Sequence, residues 1–187
     1  RYPDFFESGY KFKWDKDVSH YLDKVADKDE AGKLRGLCHR IVRAMVDIYR
    51  LKSKDDLNEQ IRKNIEHIRK SYSGEKNPPD IQRLKGMLRE YEEELVWAHY
   101  GVPVRNIEHM RLGFYTGDIF TQQPDKHRDV KPILEYLRRI QPNIISLAFD
   151  PEGSGPDTHY KVLQAIAEAL RQWSLEKDLS GLRVIGY

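Results

Sequence analysis

The chain has 187 residues, of which 33% are charged, and a formal net charge of +2. This composition is typical of one soluble globular domain, and the interspersed charges give no argument for a nucleic-acid partner. No apolar run approaches the ~20 residues of a membrane span, so no membrane partner is expected. The one cysteine, Cys38, cannot form an internal disulfide and fits a reducing cytoplasm. Its place in an apolar helical pattern predicts that it is buried.

Helical spacing of apolar residues dominates the first hundred residues. Residues 1–28 are aromatic and charged and predict one or two short helices with loops, and the spacing over 30–51 predicts a longer helix. Ser53 is a candidate N-cap of the next helix. A third helix is predicted over 81–100, ending at Gly101. The helix after Ser53 carries a narrow apolar stripe, formed by Leu57, Ile61, Ile65, Ile68 and Tyr72.

The pattern changes to alternating strands and helices after residue 103. Apolar runs predict a strand over 107–114, a buried strand over 144–149 and a last strand over 182–187. Helices are predicted between them, over 128–140 and 157–173. This order implies parallel pairing of the strands. We therefore expect an α/β fold with a large helical N-terminal half, divided into a helical region, 17–100, and an α/β region, 104–187.

Polar residues crowd the predicted carboxyl end of the strand 144–149. Asp150 ends this strand, and Asp157 and His159 begin the next helix after a Gly- and Pro-rich loop. Open α/β sheets bind ligands at the carboxyl ends of their strands. Carboxylates and an imidazole at such a place suit metal-dependent hydrolysis.

Each of these residues also has a purely structural interpretation. Asp157 would serve as a helix N-cap, and Asp150 followed by proline is a common start of a turn. His159 would then be an ordinary residue of the first helical turn. The sequence alone leaves both interpretations open.

Four segments of the chain carry a family resemblance: 89–102, 106–115, 130–149 and the sequence Gly-Pro-Asp-Thr-His at 155–159. Together they resemble the LmbE/PIG-L family of zinc-dependent amino-sugar de-N-acetylases, over roughly residues 81–187. The last segment is similar to the His-Pro-Asp-His motif of that family, with a glycine in place of the first histidine. The loop 150–161 is most similar to a subset in which this domain follows a glucosamine-6-phosphate deaminase domain in one bacterial polypeptide.

The resemblance implies a Rossmann-like, LmbE-type parallel sheet. The sheet is expected to be incomplete, because the first family motif, His-Pro-Asp-Asp, is absent; residues 1–187 would form a single partial domain. The intact domain would hold zinc, with His159 as a metal ligand and Asp157 as a carboxylate of the catalytic site. Arg89, Asp150 and Arg111 would bind the amino-sugar or sugar-phosphate substrate. Arg89 can instead be a surface residue that pairs with a nearby glutamate.

Two functions remain open from the sequence. The first is amide hydrolysis by a metal-dependent de-N-acetylase of amino-sugar metabolism, seen here in part. The second is a catalytically inactive module that binds a sugar phosphate for regulation or assists assembly of an attached deaminase. A cytoplasmic location is expected in both cases. Missing strands would expose a sheet edge, which predicts a homo-oligomer.

Overall fold

The computed structural model of the protein describes residues 3–6, 10–113, 122–148 and 157–187. Contacts within the chain divide it into two compact units, Arg1–His109 and Met110–Tyr187. The described part of the first unit is helical, whereas the second contains helices and a two-stranded parallel sheet. The protein therefore has an α/β fold with a large helical content. The Rossmann-like, LmbE-type sheet and the single partial domain over 1–187 stay predictions.

The first unit contains five described helices whose starts follow from local chemistry. Asp29 caps one of them, since its side chain accepts a hydrogen bond from the Gly32 amide at 2.9 Å. Ser53 and Asp56 form a reciprocal capping box at the start of the next. The Ser53 cap and the helices predicted over 30–51 and 81–100 are confirmed. The first 28 residues, predicted to form one or two short helices, instead contain a helix of 17 residues, Tyr10–Ala26. The helices are α1 (Pro3–Phe6), α2 (Tyr10–Ala26), α3 (Glu30–Tyr49), α4 (Lys54–Lys70) and α5 (Pro79–His99), followed by a 3-10 turn, Val104–Asn106.

Helices α2, α3 and α5 supply the core of the first unit, in which Val18, Tyr91 and Val104 are buried. Helix α4 is different, because it buries only Leu57 and Asn64 along its length. The Tyr49 hydroxyl donates a hydrogen bond to Asn64 Oδ1 at 3.2 Å and ties α4 to the end of α3. The second half of the α4 stripe is left exposed.

Cys38 is exposed, so the prediction that it is buried is wrong. The buried face of α3 includes Gly36 and Arg40. Cys38 lies two residues from each of them, which is more than half a helical turn away at 3.6 residues per turn. The apolar residues around Cys38 therefore spread over more of the α3 surface than the face that is buried.

The second unit confirms the predicted parallel pairing and the predicted last strand. Strands β1 and β2 pair in parallel, with Ile145 opposite Val184. The helix predicted over 128–140 begins with a π-helical turn, Lys126–Val130. The elements are α6 (Lys131–Ile140), β1 (Ile144–Leu147), α7 (Asp157–Ser174) and β2 (Arg183–Gly186).

The described helices cover this sheet only in part, since every residue of β2 is exposed. Helices α6 and α7 bury Leu134, Leu137 and Trp173, and Ile145 packs against this cluster. Ile144 and Ile185 are exposed, although both are branched apolar residues. The strand predicted over 144–149 is confirmed for Ile144–Leu147, but the prediction that it is buried is wrong. Among the described residues it pairs with β2 alone, and residue 149 lies outside them.

The strand predicted over 107–114 is wrong for its described residues, 107–113, which form no strand. Arg111 has a positive φ of 49°, which interrupts an extended chain. No described strand lies beside this segment to pair with it. No described helix combines the length and apolarity needed to cross a bilayer.

Candidate functional site

The strand-to-helix junction of the second unit contains Asp157 and His159, two of the four described members of the predicted site. Strand β1 ends at Leu147, and α7 begins at Asp157. His159 therefore lies in the first turn of α7, where its side chain is exposed. Asp150 and the rest of the loop, 149–156, lie outside the described residues, as does the environment of the Asp157 side chain.

The two predicted arginines lie in different units. Arg111 is an exposed residue of the second unit, in the left-handed backbone region. Arg89 lies on α5 in the first unit, and its NH1 is 3.1 Å from Glu92 Oε2. This is the surface ion pair that the sequence left open as an alternative. The described structure brings together only Asp157 and His159, by their places in one helical turn, and the five-residue site stays a prediction.

The described residues do not by themselves fit a zinc ion. A catalytic zinc takes three protein ligands and keeps one position open. His159 offers one imidazole, and the described part of the chain contains no group of three or more His, Cys, Asp or Glu side chains that could hold a metal. Further ligands for a zinc at His159 would have to come from elsewhere.

Lys161 is a buried charged residue in the same turn as His159, and the sequence analysis missed it. Its side chain is almost fully buried, which is rare for lysine. A signal was present, since Lys161 begins a series at four-residue spacing that continues through the buried Ala165, Ala169 and Trp173. This spacing places the lysine on the buried stripe of α7.

Asp129 forms a second polar centre in this unit, within the π-helical turn. Its carboxylate is fully buried. It accepts hydrogen bonds from the Gly113 amide at 2.7 Å, the Asp125 amide at 2.9 Å and Arg128 NH2 at 2.8 Å. Burial raises the pKa of this carboxyl, but Arg128 and the two amides outweigh burial and hold the pKa below its usual value. Asp129 is therefore a carboxylate that is stabilised in its charged form.

The Asp129 contacts fix the backbone beside Arg111. Gly113 is two residues beyond Arg111 and approaches Arg128 so closely that an added Cβ would lie 2.1 Å from the Arg128 side chain. The π-helical turn in turn contacts α7, the helix that carries His159. Such turns are frequent at functional sites. Nothing in the local pattern of residues 122–130 predicted this role for Asp129.

The first unit contains a buried ion pair between α3 and α5. Arg40 and Glu94 are 1% and 2% exposed, and Arg40 NH2 donates to Glu94 Oε1 at 2.8 Å. Oε2 lies 2.7 Å from the same nitrogen but not in hydrogen-bonding geometry. The Arg40 guanidinium is 4.0 Å from the Trp14 ring centroid and 4.9 Å from that of Tyr91. His109 Nε2 lies 3.3 Å from Glu94 Oε1.

A second ion pair extends this cluster to α2. Arg43 Nε donates to Asp17 Oδ2 at 2.6 Å. Burial raises the pKa of Asp17 above its usual value despite Arg43, and it raises the pKa of Tyr91 as well. Burial also lowers the pKa of the neighbouring His39. The interior of the first unit therefore disfavours the charged forms of these three groups, and at Asp17 it does so even with an ion-pair partner in contact.

The buried cluster is best understood as a structural clasp that joins α2, α3 and α5. A group that binds substrate must be reachable, whereas Arg40 and Glu94 are shielded from solvent. The sequence analysis missed both residues, because they lie 54 positions apart. Glu94 closes a run of five acidic or aromatic residues on α5, 90–94, and only its spacing of three from the buried Tyr91 indicated that it points inward.

Comparison with known proteins adds one distant similarity. No known family profile matches the chain, and no solved structure shows significant similarity to it. The chain is 26% identical over 114 residues to a glucosamine-6-phosphate deaminase-like protein of Bacteroides thetaiotaomicron. The match covers 59% of this chain but only 16% of that protein. The chain is thus distantly similar to a small part of a protein with the name of an amino-sugar enzyme.

Proposed function

We propose that this chain is a segment of a larger polypeptide of amino-sugar metabolism. In this proposal the second unit belongs to an LmbE-like, metal-dependent de-N-acetylase domain that is fused to a glucosamine-6-phosphate deaminase. The carrying observation is the distant similarity to a deaminase-like protein of which this chain matches a small part. The parallel β1–α7–β2 arrangement, with His159 at the start of α7, supports the same proposal.

The proposed roles follow the position of each residue. His159 is a ligand to zinc, and Asp157, two residues earlier, orients that imidazole. Asp150 and Arg111 belong to the same unit and bind hydroxyls or phosphate of the sugar. Arg89 has the same proposed role but would first have to leave Glu92. The other zinc ligands would come from outside the described residues. Some of them would belong to the first family motif, which the 187 residues lack.

The open face of the sheet supports a domain that is completed by further chain. Parallel sheets occur almost always with both faces covered. Here Ile144 and Ile185 are exposed on the sheet. Additional strands of the larger polypeptide, or a second copy in a homo-oligomer, would remove this apolar surface from water. A cytoplasmic location without nucleic-acid or membrane partners belongs to the same proposal.

The metal role of His159 can be tested in the longer polypeptide. Replacing His159 by alanine removes one of the few ligands that a catalytic zinc uses, and losses of affinity are large when a ligand is lost. We expect the purified His159→Ala variant to contain far less zinc than the parent, measured by elemental analysis. Acetate release from an N-acetylated amino sugar should fall with it.

The matched control is His127→Ala, which removes another exposed histidine of the same unit. This variant should keep the zinc content of the parent. Equal zinc in the parent and in His159→Ala would remove His159 from the metal site. Zinc loss in both variants would indicate general destabilisation of the unit.

The second candidate function is a module for assembly or regulation without catalysis. Exposed apolar residues of the first unit favour it, among them Ile65 and Ile68 on α4 and Val96 and Trp97 on α5, since grouped exposed apolar residues mark association surfaces. The two functions differ in a simple test. A longer polypeptide that binds a sugar phosphate, or associates, without releasing acetate would be the inactive module.

A further inference from the structure

Helix α4 exposes an apolar stripe along its second half. Ile65, Ile68 and Tyr72 are 43%, 62% and 73% exposed. On α4, the half-buried Ile61, Ile65 and Ile68 repeat at spacings of four and three, which is the spacing of a helix seam. Tyr72 is an exposed aromatic residue two positions beyond the last residue of the helix, Lys70. Single exposed apolar residues are ordinary, but a contiguous stripe of this kind marks an interaction surface.

The charges beside this stripe fall into two classes. The Lys63 and Lys70 ammonium groups each lie 2.6 Å from a glutamate one turn earlier. Arg62 and Arg69, by contrast, form no ion pair with any residue that the structure describes. They are seven residues apart, so they lie on the same edge of the stripe. We call this surface, Ile65, Ile68 and Tyr72 with Arg62 and Arg69, the basic stripe.

The end of helix α5 exposes apolar side chains beside one carboxylate. Val96, Trp97 and Tyr100 are 52%, 50% and 77% exposed. Glu93 lies one turn before Val96 and Trp97, is exposed, and has no ion pair within the described part of the chain. We call these four residues the acidic patch. Because the basic stripe and the acidic patch are both exposed, they do not cover each other within one copy.

We propose that the basic stripe of one copy binds the acidic patch of a second copy. The apolar side chains of the two surfaces would bury each other, and Glu93 would pair with Arg62 or Arg69. Tryptophan, tyrosine and arginine are the residues that most often dominate such contacts. The alternative, antiparallel pairing of two α4 helices, is disfavoured. Arg62 and Arg69 each directly follow a stripe residue, so they would occupy facing positions and repel.

The proposed contact joins unlike surfaces, so it is heterologous. Two copies related by a two-fold axis can form this contact twice and give a closed dimer. Other arrangements add further copies and give larger assemblies. This inference names a surface for the homo-oligomer proposed above, but it does not depend on zinc or on de-N-acetylation. Its test uses association alone, so its failure is distinguishable from failure of the proposed chemistry.

The experiment compares two charge reversals in the full 187-residue chain by sedimentation equilibrium. Arg62→Glu/Arg69→Glu alters the basic stripe, and Glu93→Arg alters the acidic patch. Each variant alone should self-associate at least about tenfold more weakly than the parent at low salt, because like charges then face each other. An equimolar mixture of the two should regain association, since each variant supplies the partner that the other lacks.

The control is Lys63→Glu/Lys70→Glu, which changes the net charge equally on the far side of α4 and should associate as the parent does. All these positions are exposed, and circular dichroism verifies the helices. The neutral variant Arg62→Gln/Arg69→Gln should also weaken self-association, but by less than the charge reversal. A monomeric parent, an equal effect of the control, or a mixture that stays dissociated would each overturn the proposal.

Discussion

Replacement of Glu94 by alanine is expected to lower the free energy of unfolding of the first unit by about 3–5 kcal/mol. The reason is that the substitution leaves Arg40, the buried charge partner of Glu94, in place. Arg40 is 1% exposed, and its NH2 loses the carboxylate with which it pairs among the described residues. A buried guanidinium without a counter-charge is far more costly than a missing side chain of ordinary size.

Hydrogen exchange followed by mass spectrometry measures this effect unit by unit. Peptides from α3 and α5 should exchange much faster in Glu94→Ala, whereas peptides from α6 and α7 should not change, which makes the second unit an internal reference. Glu92→Ala is the matched control. It removes the same side chain two residues earlier, from an exposed pair with Arg89, and should change exchange little.

Removing both charges separates the ion pair from the packing. In Arg40→Met/Glu94→Leu no buried charge is left unpaired, and most of the lost stability should return. His109, which contacts Glu94, is the other group that loses a partner. If the stability lost in the double variant equalled the sum of the losses in Arg40→Met and in Glu94→Leu, the two residues would contribute independently. The clasp interpretation would then be wrong.

Local signals in the sequence predicted most of the helical framework. The Ser53 cap, the start of α7 at Asp157 and the parallel pairing of the last strand depend on neighbouring residues and on chain order. The first two are visible in a short window, the third follows from the order of the elements, and all three are confirmed. Cys38 shows the limit of such windows, because an apolar pattern does not tell which side of a helix its neighbours cover.

The polar centres could not be predicted because they are made by distant parts of the chain. Glu94 takes its charge partner from α3, and Asp129 takes an amide donor from Gly113, 16 residues earlier. A short window around Glu94 does not contain Arg40, and one around Asp129 contains Asp125 and Arg128 but not Gly113. Lys161 was different, since its spacing from Ala165 placed it on a buried stripe. The site at His159 depends on residues outside the described part, so neither the sequence nor the structure assembles it.

Replacement of Asp129 by alanine is expected to lower the free energy of unfolding of the second unit at neutral pH by about 2–3 kcal/mol, because charge-assisted hydrogen bonds are lost and partly buried donors are left unpaired. The amides of Gly113 and Asp125 and the Arg128 guanidinium all donate to this carboxylate. Glu135→Ala is the control, since Glu135 is an exposed carboxylate of the same unit and its loss should change stability little.

The pH dependence gives this prediction its sign. The pKa of Asp129 in the folded protein lies below the ordinary value of 3.8, so the unfolded chain takes up the proton first as the pH falls. The stability that Asp129 contributes is therefore complete above about pH 4 to 5 and is lost as the pH falls through the folded pKa.

Trp173, the buried tryptophan of the second unit, can report unfolding in urea in a Trp14→Phe/Trp97→Phe background. The difference in the free energy of unfolding between the parent and Asp129→Ala should shrink as the pH falls below about 4. Protonation then removes the charged acceptor from the parent, and the variant already lacks it. A difference that stayed constant over this range would mean that Asp129 acts through packing and not as a charged acceptor.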